Sequence, residues 1–132
     1  MPYFESDLAV VSFDENVQAV HVSWKAFGTG PRFRQVLEAA LRCVLANGAT
    51  SWIGDVRALQ VIDPVDRVWL NKDWQPRWLR AGVRRRAVVI GPEALARVGA
   101  AGFLDEVPGA RLESRYVATP DDARAWLGLA AA

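Results

Sequence analysis

The feature that most constrains the fold is an alternation of short, valine-rich apolar runs with longer segments of helical periodicity. Five runs have the length of a β-strand, and they lie at residues 8–13, 17–24, 51–56, 86–91 and 112–118. The fourth run is almost continuously apolar, as expected for a parallel strand that is covered on both faces. Strands that alternate with helices favour a mostly parallel sheet with helices packed against it.

Turn and cap residues divide the rest of the chain into four predicted helices. The first two apolar runs are joined by Asp14-Glu15-Asn16, a polar link typical of a hairpin, which predicts an antiparallel edge. The helices are predicted from Pro31 to Asn47, from Pro64 towards Ala81-Gly82, from Pro92 to about Ala101, and from Pro120 after a Thr119 cap. We therefore predict one domain over residues 1–132, an α/β fold with a mixed, mostly parallel five-stranded sheet and four flanking helices in the order ββαβαβαβα.

Composition excludes several classes of protein. The chain has 132 residues, 52% hydrophobic and 23% charged, with a net charge of +1, which allows a sizeable core and argues against coating nucleic acid or an anionic membrane. One cysteine, Cys43, and one histidine, His21, exclude an internal disulfide and the usual zinc ligand sets. No apolar run is long enough to span a bilayer, and the first residues lack a signal-peptide pattern. We expect a cytoplasmic protein with no membrane insertion, metal or cofactor.

The second predicted helix carries three of the six tryptophans, Trp69, Trp74 and Trp78. On a regular helical wheel two apolar sets lie roughly opposite each other. One is Val65, Val68, Trp69 and Leu79, and the other is Leu70, Trp74, Trp78 and Ala81. A kink at Pro76 would change the phase and bring both sets into one core. An unbroken helix would leave the second set as a subunit interface or an apolar ligand pocket, and the sequence leaves both interpretations open.

Five arginines cluster after Trp74 with no acidic residue among them: Arg77, Arg80, Arg84, Arg85 and Arg86. Interleaved arginines and tryptophans can hold phosphates or stack on bases. Cations near a helix C-terminus are also favourable without any ligand. Because the rest of the chain is net acidic, nucleic-acid binding is disfavoured.

A polar cluster is predicted where the third strand ends, at Asp55, Arg57 and Asp63. Ligands gather at the carboxyl ends of parallel strands, so these side chains are candidates for a site. A structural Asp55–Arg57 ion pair is the favoured interpretation, and Asp63 has the position of a helix cap. No phosphate loop, dinucleotide fingerprint, nucleophile elbow or metal motif is present, so we expect no enzymatic activity.

With this order of elements, the chain resembles a STAS domain, and more closely the STAS/SEC14-like group of stand-alone bacterial proteins. The resemblance spans nearly the whole chain. It rests on Trp24-Lys25-Ala26-Phe27, Asp55-Val56-Arg57, Asp66-Arg67-Val68-Trp69, Trp74-Gln75-Pro76 followed by Ala81-Gly82, and the segment 122–127. It implies an interaction or ligand-sensing module. The serine or threonine that anti-sigma-factor antagonists phosphorylate is absent, because the matching segment is Val61-Ile62-Asp63-Pro64-Val65.

Two functions from different classes follow as hypotheses. The first is a non-enzymatic regulatory or protein-interaction module that pairs with itself, or with a protein partner, through the tryptophan-bearing second helix. The second is a carrier or sensor of a small apolar, lipid-like ligand, which the SEC14-like resemblance and the abundant tryptophan suggest.

Overall fold

The computed structural model describes residues 2–99 and 111–131. Within them, one mixed sheet contains six strands: β1 (Phe4–Glu5), β2 (Ala9–Asp14), β3 (Ala19–Trp24), β4 (Ser51–Asp55), β5 (Arg85–Val89) and β6 (Glu113–Val117). The strands lie side by side in chain order. β1, β2 and β3 pair antiparallel, and β3 to β6 pair parallel. The α/β class and the mixed sheet are confirmed.

The prediction of five strands is wrong, because β1 adds a sixth at the antiparallel edge. This strand has two residues, too few to show hydrophobic alternation in a sequence. It forms because β2 offers free backbone groups, and the Tyr3 N–H donates to the Val11 carbonyl at 2.7 Å. The element order is therefore βββαβαβαβα, with the second helix counted once.

Helix α1 (Gly30–Asn47) begins and ends next to the residues from which its ends were predicted, Pro31 and Gly48. Pro31 lies in the first turn, where a missing N–H costs little. Gly48 adopts the left-handed conformation at φ 60°, and its N–H donates to the Val44 carbonyl. That conformation favours glycine at a helix end. The buried face of α1 packs on the sheet.

The second helix is continuous through Pro76 and contains one turn of π-helix. It comprises α2 (Pro64–Trp69), the π turn (Leu70–Trp74) and α3 (Gln75–Arg80), and we call the whole helix α2–α3. The backbone is helical at Leu70 and Gln75, and the Gln75 N–H donates to the Leu70 carbonyl, five residues back. A break at Pro76 is therefore absent, and the phase changes in the turn just before it.

Two further helices complete the described fold. α4 (Pro92–Val98) ends at Gly99, which has φ 77°, while the predicted end near Ala101 lies outside the described residues. α5 (Pro120–Ala131) begins after Thr119, whose hydroxyl oxygen accepts from the Asp122 N–H at 3.1 Å. The predicted Thr119 cap is therefore confirmed.

The sheet separates two apolar cores. On one face, β-strand side chains pack with α1 and with Trp74 and Trp78 of helix α2–α3. On the other face, a smaller core contains Ile53, Val89 and the α5 residues Ala123 and Leu127, among others. Because side chains alternate along a strand, Trp52 lies in the larger core and its neighbour Ile53 in the smaller one.

Candidate ligand-binding cavity

The floor of the main cavity is built around a glycine in the sheet. Gly54 of β4 pairs with Val88 of β5, which pairs with Tyr116 of β6, and all three line the cavity. A Cβ atom at Gly54 would lie 3.1 Å from Nε1 of Trp52. The missing side chain therefore leaves room above the sheet for the Trp52 indole and for the cavity beside it.

An aromatic wall borders this floor on the side of α1. The rings of Trp24 and Phe33 are stacked with centroids 5.2 Å apart and planes 17° from parallel. Leu37, one turn along α1 from Phe33, also lines the cavity. Stacked aromatic rings present a rigid apolar surface, which is suited to holding a flat apolar molecule.

The opposite wall exists because of the π turn. Four side chains of this turn and its neighbour line the cavity: Leu70, Asn71, Trp74 and Gln75. A regular α-helix advances 100° per residue, so the extra residue held by a π turn rotates everything that follows. This rotation brings Trp74 and Trp78 inside while Asp66 of α2 is also buried.

Three tryptophans meet at the inner end of the cavity. The ring centroids of Trp52, Trp74 and Trp78 are each 5.5 Å from the other two, with Trp74 and Trp78 stacked. The Trp74 Nε1–H donates to the Leu37 carbonyl at 2.9 Å. The buried Trp78 Nε1–H finds no acceptor among the residues that the structure describes. A buried indole N–H usually has an acceptor, so Trp78 departs from the usual pattern.

The resulting cavity has a volume of about 270 Å³. An apolar cavity of about 150 Å³ can hold benzene, so this one has room for a molecule of one or two rings. Its described lining consists of Trp24, Phe33, Leu37, Trp52, Gly54, Val56, Leu59, Ile62, Arg67, Leu70, Asn71, Trp74, Gln75, Trp78, Arg86, Val88 and Tyr116. A mostly apolar lining, partly aromatic and with a few polar groups, is typical of small-molecule sites.

The interpretations left open for Leu70, Trp74, Trp78 and Ala81 were a shared core, a subunit interface and a ligand pocket. Trp74 is 4% exposed and Trp78 1%, and Leu70 and Ala81 are half-buried against the same core, so these residues do not form an exposed face. The π turn is the physical reason, because it rotates the second apolar set towards the sheet. Leu70, Trp74 and Trp78 also line the cavity. Val65 and Val68, which the kinked-helix interpretation placed in the shared core, are 69% and 54% exposed.

The predicted polar cluster is divided. Arg57 Nε and Nη2 donate to the buried Asp55 carboxylate at 2.9 and 2.6 Å, the ion pair that was favoured from the sequence. Asp63 instead accepts from the Val65 N–H at 3.1 Å and caps α2. Because side chains alternate along a strand, Asp55 lies on the opposite face of the sheet from Gly54. Neither Asp55 nor Arg57 is among the described residues that line the cavity.

The five clustered arginines do not form one basic face. Arg77 Nη1 donates to Glu38 at 3.0 Å and Nε to Asp73 at 2.9 Å, and hydrogen bonding to Glu38 raises the pKa of Arg77 further. Arg85 lies 3.8 Å from Glu113. Arg86 donates to the Ser114 hydroxyl at 3.1 Å and lies over the Trp78 ring. Arg80 and Arg84 are exposed. Glu38, Glu113 and Ser114 come from segments distant along the chain, so the local charge run did not reveal them, whereas Asp73 lies only four residues before Arg77.

Asp66 is a buried carboxylate that was not among the candidate site residues predicted from the sequence. It is 1% exposed and accepts from the Gly30 N–H at 2.8 Å and from Arg34 Nε at 3.3 Å. The Arg34 guanidinium also lies 5.1 Å from the centroid of Trp69. Asp66 therefore joins α2 to the first turn of α1, a structural role that its position in the first turn of a helix did not indicate.

His21 and Cys43, to which the sequence assigned no functional role, both have pKa values shifted by burial. Burial, helped by the Arg124 charge, lowers the pKa of His21, and its Nε2 has no hydrogen-bond partner among described residues. Burial raises the pKa of the Cys43 thiol, which lies in the larger core. Within residues 2–99 and 111–131, no three metal-ligating side chains are grouped closely enough to hold a metal ion.

Comparison with family models, with curated proteins and with solved structures finds no match for this chain. None of the described helices has both the length and the apolar character that crossing a membrane requires.

Proposed function

We propose that this chain is a non-enzymatic, STAS-like domain that binds one small apolar molecule, and acts as its carrier or sensor. The observation that carries the proposal is the cavity of about 270 Å³ between the Gly54 floor and helix α2–α3. Its lining is mostly apolar and partly aromatic, and no carboxylate among the described residues contributes to it. The order of elements after β1 supports the STAS-like resemblance, since it is the order on which that resemblance rests.

The size and lining of the cavity define the class of ligand. Two rings fit the volume, and the aromatic walls favour flat, apolar molecules over sugars or nucleotides. Catalysis would require a nucleophile or a general base within reach of the bound molecule. The described lining contains no Ser, Cys, His, Asp or Glu side chain, which supports binding without chemistry.

Uptake of a neutral, polarity-sensitive naphthalene dye tests the proposal. We expect 6-acetyl-2-dimethylaminonaphthalene to bind the wild-type protein with a blue-shifted emission, because the mostly apolar lining is less polar than water. Val88→Phe places a ring on the cavity floor and is expected to weaken binding at least tenfold. Val10→Phe is the matched control, since Val10 is a half-buried strand valine outside the described lining.

The outcomes separate cavity binding from surface binding. Equal affinity in the wild type and in Val88→Phe, with both folded by circular dichroism, would show that the dye binds elsewhere and would overturn the proposal. Absence of binding to the wild type would do the same. Extraction of the purified protein and mass spectrometry of the extract would then identify any molecule that the chain had retained.

Self-association through helix α2–α3 is the second candidate, and a specific observation favours it. Val61, Val65 and Val68 lie near the start of this helix with 62%, 69% and 54% of their surfaces exposed. A second copy of this chain is the expected partner. Light scattering should give a dimer for the wild type and a folded monomer for the double variant Val65→Lys and Val68→Lys. A monomer in both would overturn this candidate.

A further inference from the structure

The polar side chains that line the cavity offer more hydrogen-bond donors than acceptors. This excess of donors restricts the class of ligand more than the volume of the cavity does. Among the described lining residues, the charged side chains are Arg67 and Arg86, and no acidic residue accompanies them. Arg86 is held by Ser114 and by the Trp78 ring. Arg67 is an exposed residue of helix α2–α3 whose side chain lines the cavity.

A row of polar side chains continues from Arg67 along the same helix. Arg67, Asn71 and Gln75 are each four residues apart, and all three line the cavity. Residues at this spacing are neighbours on a helix surface. Their side chains make no hydrogen bond or ion pair within the described part of the chain. The row therefore presents a guanidinium and two amides to whatever occupies the cavity.

Donors exceed acceptors in this arrangement. Arg67 supplies only donors, and the Asn71 and Gln75 amides add N–H donors beside their acceptor oxygens. A ligand that satisfies them must bring acceptor oxygens. An anionic acceptor forms the stronger bond with a guanidinium, and a planar carboxylate can accept from it in a bidentate manner.

We propose that the ligand is a carboxylate with a one- or two-ring aromatic body. The rings lie among the tryptophans, and the carboxylate accepts hydrogen bonds from Arg67 and from the amides of Asn71 and Gln75. A phosphate monoester is the less suitable anion, because its greater charge calls for more than one available cation, and Arg86 is already engaged. This inference rests on the proposed function, since it names the ligand class of the same cavity.

Isothermal titration calorimetry with two compounds of one shape tests the assignment. At pH 7.5, 2-naphthoate is expected to bind the wild-type protein at least tenfold more tightly than neutral 2-naphthamide. Arg67→Gln should remove this difference by weakening only the naphthoate. Arg80→Gln is the matched control, because Arg80 is an exposed arginine of the same helix outside the described lining.

Each outcome separates the inference from the proposed function. Equal binding of the two compounds, or an unchanged preference in a folded Arg67→Gln protein, would overturn the carboxylate assignment and leave apolar binding in place. Tighter binding of 2-naphthyl phosphate than of 2-naphthoate would also overturn it. Failure of both naphthyl compounds and of the neutral dye to bind the wild type would overturn the proposed function, and the inference with it.

Discussion

Asp66 shows how a single buried carboxylate can join two elements. Its oxygens accept from the Gly30 N–H and from Arg34, so α2 satisfies a donor in the first turn of α1. Such donors have no partner within their own helix. A buried acceptor that is removed leaves its donors without partners, which costs more than losing the same bond at the surface.

Replacing Asp66 should therefore destabilise the protein more than replacing its neighbour Asp63. We expect Asp66→Ala to lose roughly 1.5–3 kcal/mol, the usual range for hydrogen bonds to a charged group. Asp63→Ala should lose about 1 kcal/mol, as for an ordinary N-cap. Urea unfolding of both variants checks this, and an equal loss in the two would contradict a special role for Asp66.

At the scale of elements, the π turn of helix α2–α3 decides what the helix presents to the sheet. Its i to i−5 hydrogen bond, from the Gln75 N–H to the Leu70 carbonyl, takes up one extra residue. Asp66 before the turn and Trp78 after it are both buried as a result. On a regular helix these positions are twelve residues apart, or 120° apart around the axis, so one helix face would not hold both.

Adding one residue to the π turn should remove the packing of the tryptophan cluster, whereas deleting one should not. Without Lys72, which is exposed, Asp66 and Trp78 would be eleven residues apart, or about 20° around a regular α-helix, so one face would still hold both. An alanine inserted after Lys72 is expected to rotate α3 by about 100°, so the near-ultraviolet circular dichroism of the stacked Trp74–Trp78 pair should diminish and the melting temperature should fall. Lys72→Ala keeps the length of the chain and is the control. An unchanged spectrum in the insertion variant would contradict this account.

At the scale of the whole molecule, the sheet divides the protein into two unequal halves. Among the described residues, the larger core, under α1 and helix α2–α3, holds five buried aromatic side chains: Trp24, Phe33, Trp52, Trp74 and Trp78. The buried residues described in the smaller core, under α5, are alanine, valine, isoleucine and leucine, with Trp126 partly buried against them. The cavity therefore lies in the half that contributes most apolar burial, and its tryptophans serve stability as well as the proposed binding.

This double role predicts that the tryptophans cannot be removed from the folded protein. A buried Trp→Ala change costs about 3–5 kcal/mol, so Trp74→Ala with Trp78→Ala approaches or exceeds the roughly 5–15 kcal/mol by which a domain is stable. We expect this double variant to be unfolded by circular dichroism. The double variant Val65→Lys and Val68→Lys changes only exposed side chains and should remain folded. A folded tryptophan variant would contradict the described burial.

Local sequence signals predicted the parts of this fold that depend on neighbours along the chain. The Pro31 start, the Gly48 stop and the Thr119 cap each act within one helical turn, so the sequence alone was sufficient. The Asp55–Arg57 pair is two residues apart and was likewise foreseen. The strand Phe4–Glu5 was not, because its two residues show no periodicity and its backbone pairing is with β2, an element formed elsewhere in the chain.

The amino-acid sequence by itself determined the alternation of strands and helices, the antiparallel edge, both ends of α1 and the start of α5. Tertiary structure alone decided the burial of Trp74 and Trp78, the pairing of Arg77 with Glu38 and of Arg85 with Glu113, and the space above Gly54. The physical reason is that periodicity and capping are short-range effects. By contrast, the π turn and the long-range ion pairs are stabilised by contacts with residues far along the chain. Those contacts exist only once the sheet and helices have packed.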